Sequence, residues 1–245
     1  MNFVAIIQAR TNSTRLPNKI FKIIEDKPVI EHLINRLKNS MMLNNIIIAT
    51  TNHECDNSIV QFCIDHNIDY YRGSENNVLD RYYQTAKLYK VENIVRITSD
   101  CPLMDSQVVD EMIDYFIKNK FEFLSVEYSG KSINGSRPFG SHAGFPDGCN
   151  PEIFTFKVLE NMWKCALKPD ELEHVTPFYR KHNYVSEYKI KLKREYPNID
   201  LSMLHLSLDT DEDFIMIQDI YSKLYKINKQ FTIEDVLDYL DRKLK

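Results

Sequence analysis

Glycine is scarce in this chain: 6 in 245 residues, where ordinary usage near 7% gives about seventeen. None falls in G-x-G-x-x-G or G-x-x-x-x-G-K-[ST], so the sequence lacks the two commonest glycine-rich phosphate cradles. A bound nucleotide must be held by other means. Twenty asparagines accompany the shortage, and asparagine is the residue other than glycine that best tolerates left-handed backbone. The five cysteines, Cys55, Cys63, Cys101, Cys149 and Cys165, form no C-x-x-C and no regular spacing. An odd count of that kind suits reduced thiols better than a disulfide framework. No run approaches the ~20 apolar residues of a membrane-spanning helix, and the opening MNFVAIIQAR lacks the basic region of a signal peptide. A net charge of -4 provides no field for a polyanion, which argues against a nucleic-acid partner. The expectation is a cytoplasmic protein without membrane segments, whose 43% apolar residues suffice for a real core.

What is present is an alternation. Phe3 to Ile7 is a short apolar run, the pattern of a strand buried on both faces. Pro28 can open a helix whose apolar positions Val29, Ile30, Leu33, Ile34 and Leu37 recur at helical spacing. Further strands are expected at Ile46 to Ala49, Asp69 to Tyr71, Ile94 to Thr98 and Phe121 to Val126. Helices are expected around Ile59 to Ile64, Val78 to Tyr89 and Ser106 to Asn119. Strands separated by helices of 10 to 15 residues indicate βαβ units and a mostly parallel sheet flanked by helices. Between Tyr128 and Pro151, where five of the six glycines lie, a long irregular excursion is expected. Beyond it the pattern predicts helices at Pro151 to Ala166 and Glu171 to Lys181, strands at Tyr184 to Leu192 and Met203 to Leu208, and helices at Glu212 to Leu224 and Thr232 to Leu240. Met162, Trp163 and Phe156 read as core. The chain reads as one α/β domain with an inserted lobe.

Ligands of open α/β sheets bind beyond the carboxyl ends of the strands, so the loops there are the places to search. The loop after the first strand, Gln8 to Lys19, carries Arg10, Arg15 and Lys19 among hydroxyls and asparagines. Such cations supply charge and donors to phosphate oxygens. Asp100 lies just past Ile94 to Thr98, before Cys101 and Pro102; it reads either as a turn residue or as a hard oxygen ligand for Mg²⁺. Asp209 ends the Leu206 to Leu208 run, where its place suits a helix cap, while Asp211 and Asp213 suit a helix N-terminus. Ser74 can cap the helix that contains Asp80 and Arg81, and those two read as an ion pair. Asp147 heads a turn with Gly148.

The segment Ile6 to Lys19, IIQARTNSTRLPNK, resembles the opening of the cytidylyltransferase-like proteins of spore-coat polysaccharide synthesis and is similar to that of the CMP-KDO and CMP-sialate synthetases. The stretches Arg72 to Tyr82, Arg96 to Leu103, Phe145 to Glu152, Glu173 to Pro177 and Leu208 to Asp213 also match. The resemblance implies a Rossmann-like, GT-A-like nucleotide-diphospho-sugar transferase fold over residues 1–245, with an acceptor and dimerisation lobe at about 128–200. It implies CTP on Gln8, Ala9, Arg10, Ser13, Arg15, Lys19, Ser74, Asp80, Arg81, Thr98 and Ser99, and Mg²⁺ on Asp100 and Asp209. Arg10, Lys19, Asp100 and Asp209 would be the catalytic set. Asp147, Glu152 and His174 would meet a small-molecule acceptor. The implied reaction joins a sugar acid, sugar phosphate or polyol phosphate to CTP with release of pyrophosphate, in a homodimer that serves polysaccharide synthesis. The rival readings are a glycosyltransferase that consumes a nucleotide sugar and a catalytically silent scaffold. Asn12 and Asn18 stand where the relatives carry glycine, so positive φ is expected at Asn12 or Asn18.

Overall fold

Strand β1, Phe3–Gln8, alternates its side chains between two cores. Phe3, Ala5 and Ile7 enter one apolar cluster and Val4 and Ile6 the other, all almost fully buried. A strand buried on both faces belongs in the middle of a helix-covered sheet, and there the computed structural model places it. The structure describes residues 1–127, 144–182 and 184–245.

After β1 the chain makes a small hairpin, β2 (Ile23–Ile24) and β3 (Lys27–Pro28), and enters α1 (Val29–Leu37). The alternation continues through β4 (Asn45–Thr51), α2 (Asn57–Asp65), β5 (Asp69–Gly73), α3 (Val78–Leu88), β6 (Asn93–Thr98), α4 (Ser106–Asn119) and β7 (Phe123–Val126). Then come β8 (Glu152–Thr155), α5 (Phe156–Cys165), α6 (Pro169–His174), α7 (Pro177–Lys181), β9 (Ser186–Tyr188), α8 (Asp211–Leu224) and α9 (Ile233–Lys243). Among the described residues the main sheet has the order β5-β4-β1-β6-β8-β7-β9, with β8 antiparallel to both its neighbours and the other pairings parallel. Helices α1, α2, α4, α8 and α9 cover one face; α3 and α5 cover the other. From β1 the chain builds outward to β4 and β5, then returns to lay β6 on the opposite side of β1. The crevice at the carboxyl ends of β1 and β6 is therefore the topological switch point at which such sheets bind ligands.

The second half departs from the sequence pattern in four places. The helix expected from Pro151 begins only at Phe156, because Glu152–Thr155 is drawn into the sheet between β6 and β7. Thr155 then caps α5 directly, its hydroxyl accepting from Val158 N, so strand and helix abut without a turn to announce the change. The helix expected over Glu171 to Lys181 is broken at Val175, whose φ of 70° and ψ of -55° form a tight turn closed by Thr176 N donating to His174 O at 2.8 Å. Positive φ is costly for a β-branched residue, and here complete burial of the side chain holds it in place. The strand expected over Tyr184 to Leu192 shrinks to β9. In the stretch Met203 to Leu208, Met203 lies in a turn, and among the described residues the rest pairs only through a one-residue bridge of His205 with Asp147. Its apolar alternation is real, with Leu206 and Leu208 fully buried, but among the described residues no neighbouring strand completes a ladder. The stretch expected to form a lobe thus gives β8 and β9 to the main sheet. Residues 128–143, most of the expected excursion, lie outside the described residues.

Asn18 has φ 55° and ψ 25°, the left-handed conformation expected of it, at the entrance to a 3₁₀ turn over Lys19–Phe21. Asn12 is not among the positive-φ residues. Asn18→Gly is therefore expected to preserve stability and Asn18→Val to lose about 1–2 kcal/mol, measured by urea denaturation; equal stability of the two variants would refute the conformational role.

Candidate active site

The loop after β1 is pinned before it reaches any ligand. Asp56, buried at the end of a 3₁₀ turn over Glu54–Asp56, accepts from Thr11 N and from Thr11 Oγ1, both at 2.7 Å, and from the Thr51 hydroxyl. Thr11 O in turn accepts from Ser13 N at 2.9 Å and from Asn18 N at 3.1 Å. A single carboxylate therefore sets the shape of a loop that has no glycine. Burial alone would raise the Asp56 carboxyl, but the donors from Thr51 and Thr11 outweigh it and lower the pKa. Sequence reading passed over Asp56; the available signal was an acid placed just after Thr50 and Thr51 at the next strand end.

Lys19, at the far end of that loop, projects into the switch-point crevice. Its Nζ lies 2.7 Å from Asp100 Oδ2 and 2.9 Å from Asp209 Oδ1. Arg15 reaches the same Asp209 oxygen at 3.0 Å. Burial works to lower the Lys19 pKa, but Asp100 and then Asp209 outweigh it and hold the ammonium above its ordinary value. Asp209 is held well below the usual carboxylate range, first by its bond with His205 and then by Lys19, against the opposing effect of burial. The two acids are also joined through backbone, since Leu208 N donates to Asp100 O at 2.7 Å. Asp209 does not cap α8. Thr210 does so, in a reciprocal box with Asp213, while Asp211 meets Lys22 at 3.1 Å. Asp211 and Asp213 thus keep the helix-terminal places expected of them.

His205 was not singled out from the sequence, where nothing distinguishes it from a strand residue. Its Nδ1 lies 3.1 Å from Asp147 Oδ2 and its Nε2 is 3.5 Å from Asp209 Oδ2 and 2.9 Å from Ser207 Oγ. Hydrogen bonds to Asp147 and Asp209 outweigh burial and raise its pKa to about 10. Gly148 makes this junction possible. It has φ 88°, and a Cβ there would stand 2.5 Å from Ser207 N, so only glycine lets the Asp147 turn press against the 205–208 segment. Asp147 is thereby brought to the same cluster as Asp209.

The remaining expected residues divide. Gln8, Ala9, Thr98 and Ser99 line the strand ends, with Ser99 N donating to Gln8 O at 3.2 Å and Thr98 Oγ1 lying 3.1 Å from the Cys101 sulfur. Ser13 lies half-buried in the pinned loop, and Arg10 is half-exposed with Glu173 of α6 at 4.0 Å. Arg81 is buried and donates to the carbonyls of Ser74 at 2.8 Å and Glu75 at 3.3 Å. Asp80 does not pair with it; Asp80 accepts instead from Trp163 Nε1 at 2.9 Å and Gln84 at 3.0 Å, on the α5 side. Ser74 does not cap α3, a place taken by Asn77, whose side chain accepts from Asp80 N at 2.8 Å. Trp163 is 38% exposed and stacks on Tyr83 at 4.2 Å, outside the expected core. Glu152 is not open to an acceptor: it is buried on β8, bonded to Arg96 at 2.8 Å, to Arg180, and to Thr176. His174 is exposed at the end of α6.

The family model for cytidylyltransferases matches residues 4–241. The chain belongs to the cytidylyltransferase family. It is a CTP-dependent nucleotidyltransferase built on a Rossmann-like sheet. A solved cytidylyltransferase from Leptospira borgpetersenii superposes with a TM-score of 0.85 at 31% identity, covering 99% of this chain and 95% of that one. The spore coat polysaccharide biosynthesis protein SpsF of Bacillus subtilis is 28% identical over 89% of this chain and 85% of its own length. A 3-deoxy-manno-octulosonate cytidylyltransferase of Fusobacterium nucleatum is 31% identical over 98% of this chain and 97% of its own. Among the described residues no helix of this cytidylyltransferase is long and apolar enough to cross a membrane.

The lowered Asp56 pKa fixes the sign of a pH effect. The stabilisation it represents is present above the unfolded value of 3.8 and disappears as pH falls through the lower folded value. Asp56→Asn is expected to cost about 1–3 kcal/mol at neutral pH and to converge on the parent in acid, as measured by urea titrations across pH. An unchanged neutral stability would rule out the pinning role.

Proposed function

We propose that this cytidylyltransferase activates a sugar acid, sugar phosphate or polyol phosphate with CTP and releases pyrophosphate, in the synthesis of a surface polysaccharide or glycoconjugate. The supporting observation is the convergence of Asp100 and Asp209, from strand ends more than a hundred residues apart in sequence, on the Lys19 ammonium. An acceptor oxygen bonds to the α-phosphorus of CTP, the bond from that phosphorus to the bridging oxygen breaks, and the electron pair leaves with pyrophosphate. Such transfers need alignment and charge neutralisation rather than a protein nucleophile. Arg10, Arg15 and Lys19 supply positive charge on one side of the crevice.

Two carboxylates within reach of one ammonium form the hard-oxygen pair that suits Mg²⁺, an ion that completes its shell with water and substrate phosphate. Among the described residues no group of three or more His, Cys, Asp or Glu side chains forms a closed metal cage. Asp100 and Asp209 would hold Mg²⁺, which when bound neutralises charge on the phosphate. His205 and the backbone bond from Leu208 to Asp100 keep the two acids aligned. The likeness to spore-coat and 3-deoxy-manno-octulosonate proteins supports a polyhydroxylated, anionic acceptor, with Asp147 and His174 as its expected contacts. The same resemblance supports a homodimer.

Incubation with CTP, Mg²⁺ and a panel of sugar acids, sugar phosphates and polyol phosphates is expected to release pyrophosphate with at least one acceptor. Asp100→Ala should lower that rate about 100-fold or more. A variant that keeps the parental rate would remove Asp100 from the machinery.

A further inference from the structure

Arg96 is a guanidinium on the central strand β6, between the buried Val95 and Ile97. In the register of the sheet it stands beside Ile6 of β1 on one side and Glu152 of β8 on the other. Its Nη1 donates to Glu152 Oε2 at 2.8 Å and its Nη2 to Gln8 Oε1 at 3.3 Å; its Nε is buried without a partner. Glu152 is in turn fixed from the other side. Arg180 of α7 pairs with it, and the Thr176 hydroxyl lies 3.2 Å and 3.3 Å from its two oxygens. Thr176 follows the strained Val175 turn and also accepts from Arg180 Nε at 3.3 Å.

The chemistry of this chain determines which way Gln8 faces. A guanidinium only donates, so the Gln8 carboxamide must offer Arg96 its oxygen and turn its NH₂ group away. No described residue accepts from that NH₂, and Gln8 is half-buried at the end of β1 in the switch-point crevice. A free-rotating glutamine would present oxygen and nitrogen alternately. Tied to Arg96, it presents donors.

We infer that Arg96 is a positioning residue: anchored on buried Glu152, it fixes the Gln8 carboxamide so that its NH₂ donates to an oxygen or nitrogen acceptor atom of a bound substrate. The inference rests on the cytidylyltransfer reading and names a specificity-determining residue within it. The acceptor atom belongs either to CTP or to the second substrate, and two measurements separate them. Calorimetry with CTP alone reports the first; KM for the second substrate in pyrophosphate release reports the other.

Gln8→Leu, which removes the donors, is expected to raise one of these constants about 3- to 10-fold. Arg96→Met should raise the same constant by a similar factor with kcat little changed, because Glu152 keeps Arg180 and Thr176 and the fold is retained. Arg96→Lys, which keeps the charge but loses the two-armed reach, should behave like Arg96→Met. The Gln8→Leu/Arg96→Met double variant should be no weaker than either single one. Unchanged constants in the single variants of an active protein, or effects that multiply in the double variant, overturn the inference alone. A parent protein that neither binds CTP nor releases pyrophosphate overturns the proposed reaction together with it.

Discussion

The ammonium of Lys19, lodged between Asp100 and Asp209, is the contact on which the geometry of the crevice depends. Two half-buried carboxylates a few ångströms apart repel each other unless a cation lies between them. Lys19 supplies that cation from the opposite wall of the cleft and closes a three-cornered junction between the loop after β1, the end of β6 and the entrance to α8. Each corner is separately braced. Asp56 shapes the first, the Leu208 to Asp100 backbone bond joins the second and third, and the Thr210 box holds the start of α8 so that the Asp209 side chain is released from capping duty.

A second charged junction lies deeper, on the α3 and α5 side of the same sheet. Burying Glu152 is costly unless it is paired and hydrogen-bonded, and Arg96, Arg180 and Thr176 meet that requirement. Because β8 runs antiparallel between β6 and β7, Glu152 at its start lies near the carboxyl end of β6, where a purely parallel arrangement would have carried it away from the site. The reversed strand thus brings the helices α6 and α7 into mechanical contact with the end of β1. The two junctions flank the crevice, one rich in carboxylates and one ending in amide donors.

The first half of the fold was legible in the sequence because each element there repeats one pattern: apolar strand, polar loop, amphipathic helix. Every strand and helix expected between Phe3 and Val126 is present, with ends shifted by a few residues. The closing helices α8 and α9 also stand where expected; between residues 144 and 208 the pattern misleads, for a physical reason. Strand β8 runs into α5 with no intervening turn, and Ile153 and Phe154 suit either a helix or a strand; only their neighbours in the sheet decide. The Val175 break is invisible because nothing in a valine announces positive φ. Site residues followed the same division. Loop cations and strand-end acids stand out by position, whereas Asp56, His205 and Arg96 act through partners distant in sequence.

The glycine shortage has a structural counterpart in how the loop after β1 is made. Glycine-rich cradles obtain their shape from backbone freedom and leave the amides to find the anion. In this chain shape is imposed from outside, by a buried carboxylate on Thr11 and a single left-handed asparagine at position 18. A loop of that kind loses less conformational entropy on ordering than a run of glycines, and its charge comes from side chains that reach in from either end. Glycine is kept where a side chain is sterically impossible, as at Gly148 against Ser207. The scarcity is therefore not a lack of backbone definition. It marks a site whose backbone is held by hydrogen bonds to its surroundings, and in which one glycine serves to bring Asp147 and His205 together.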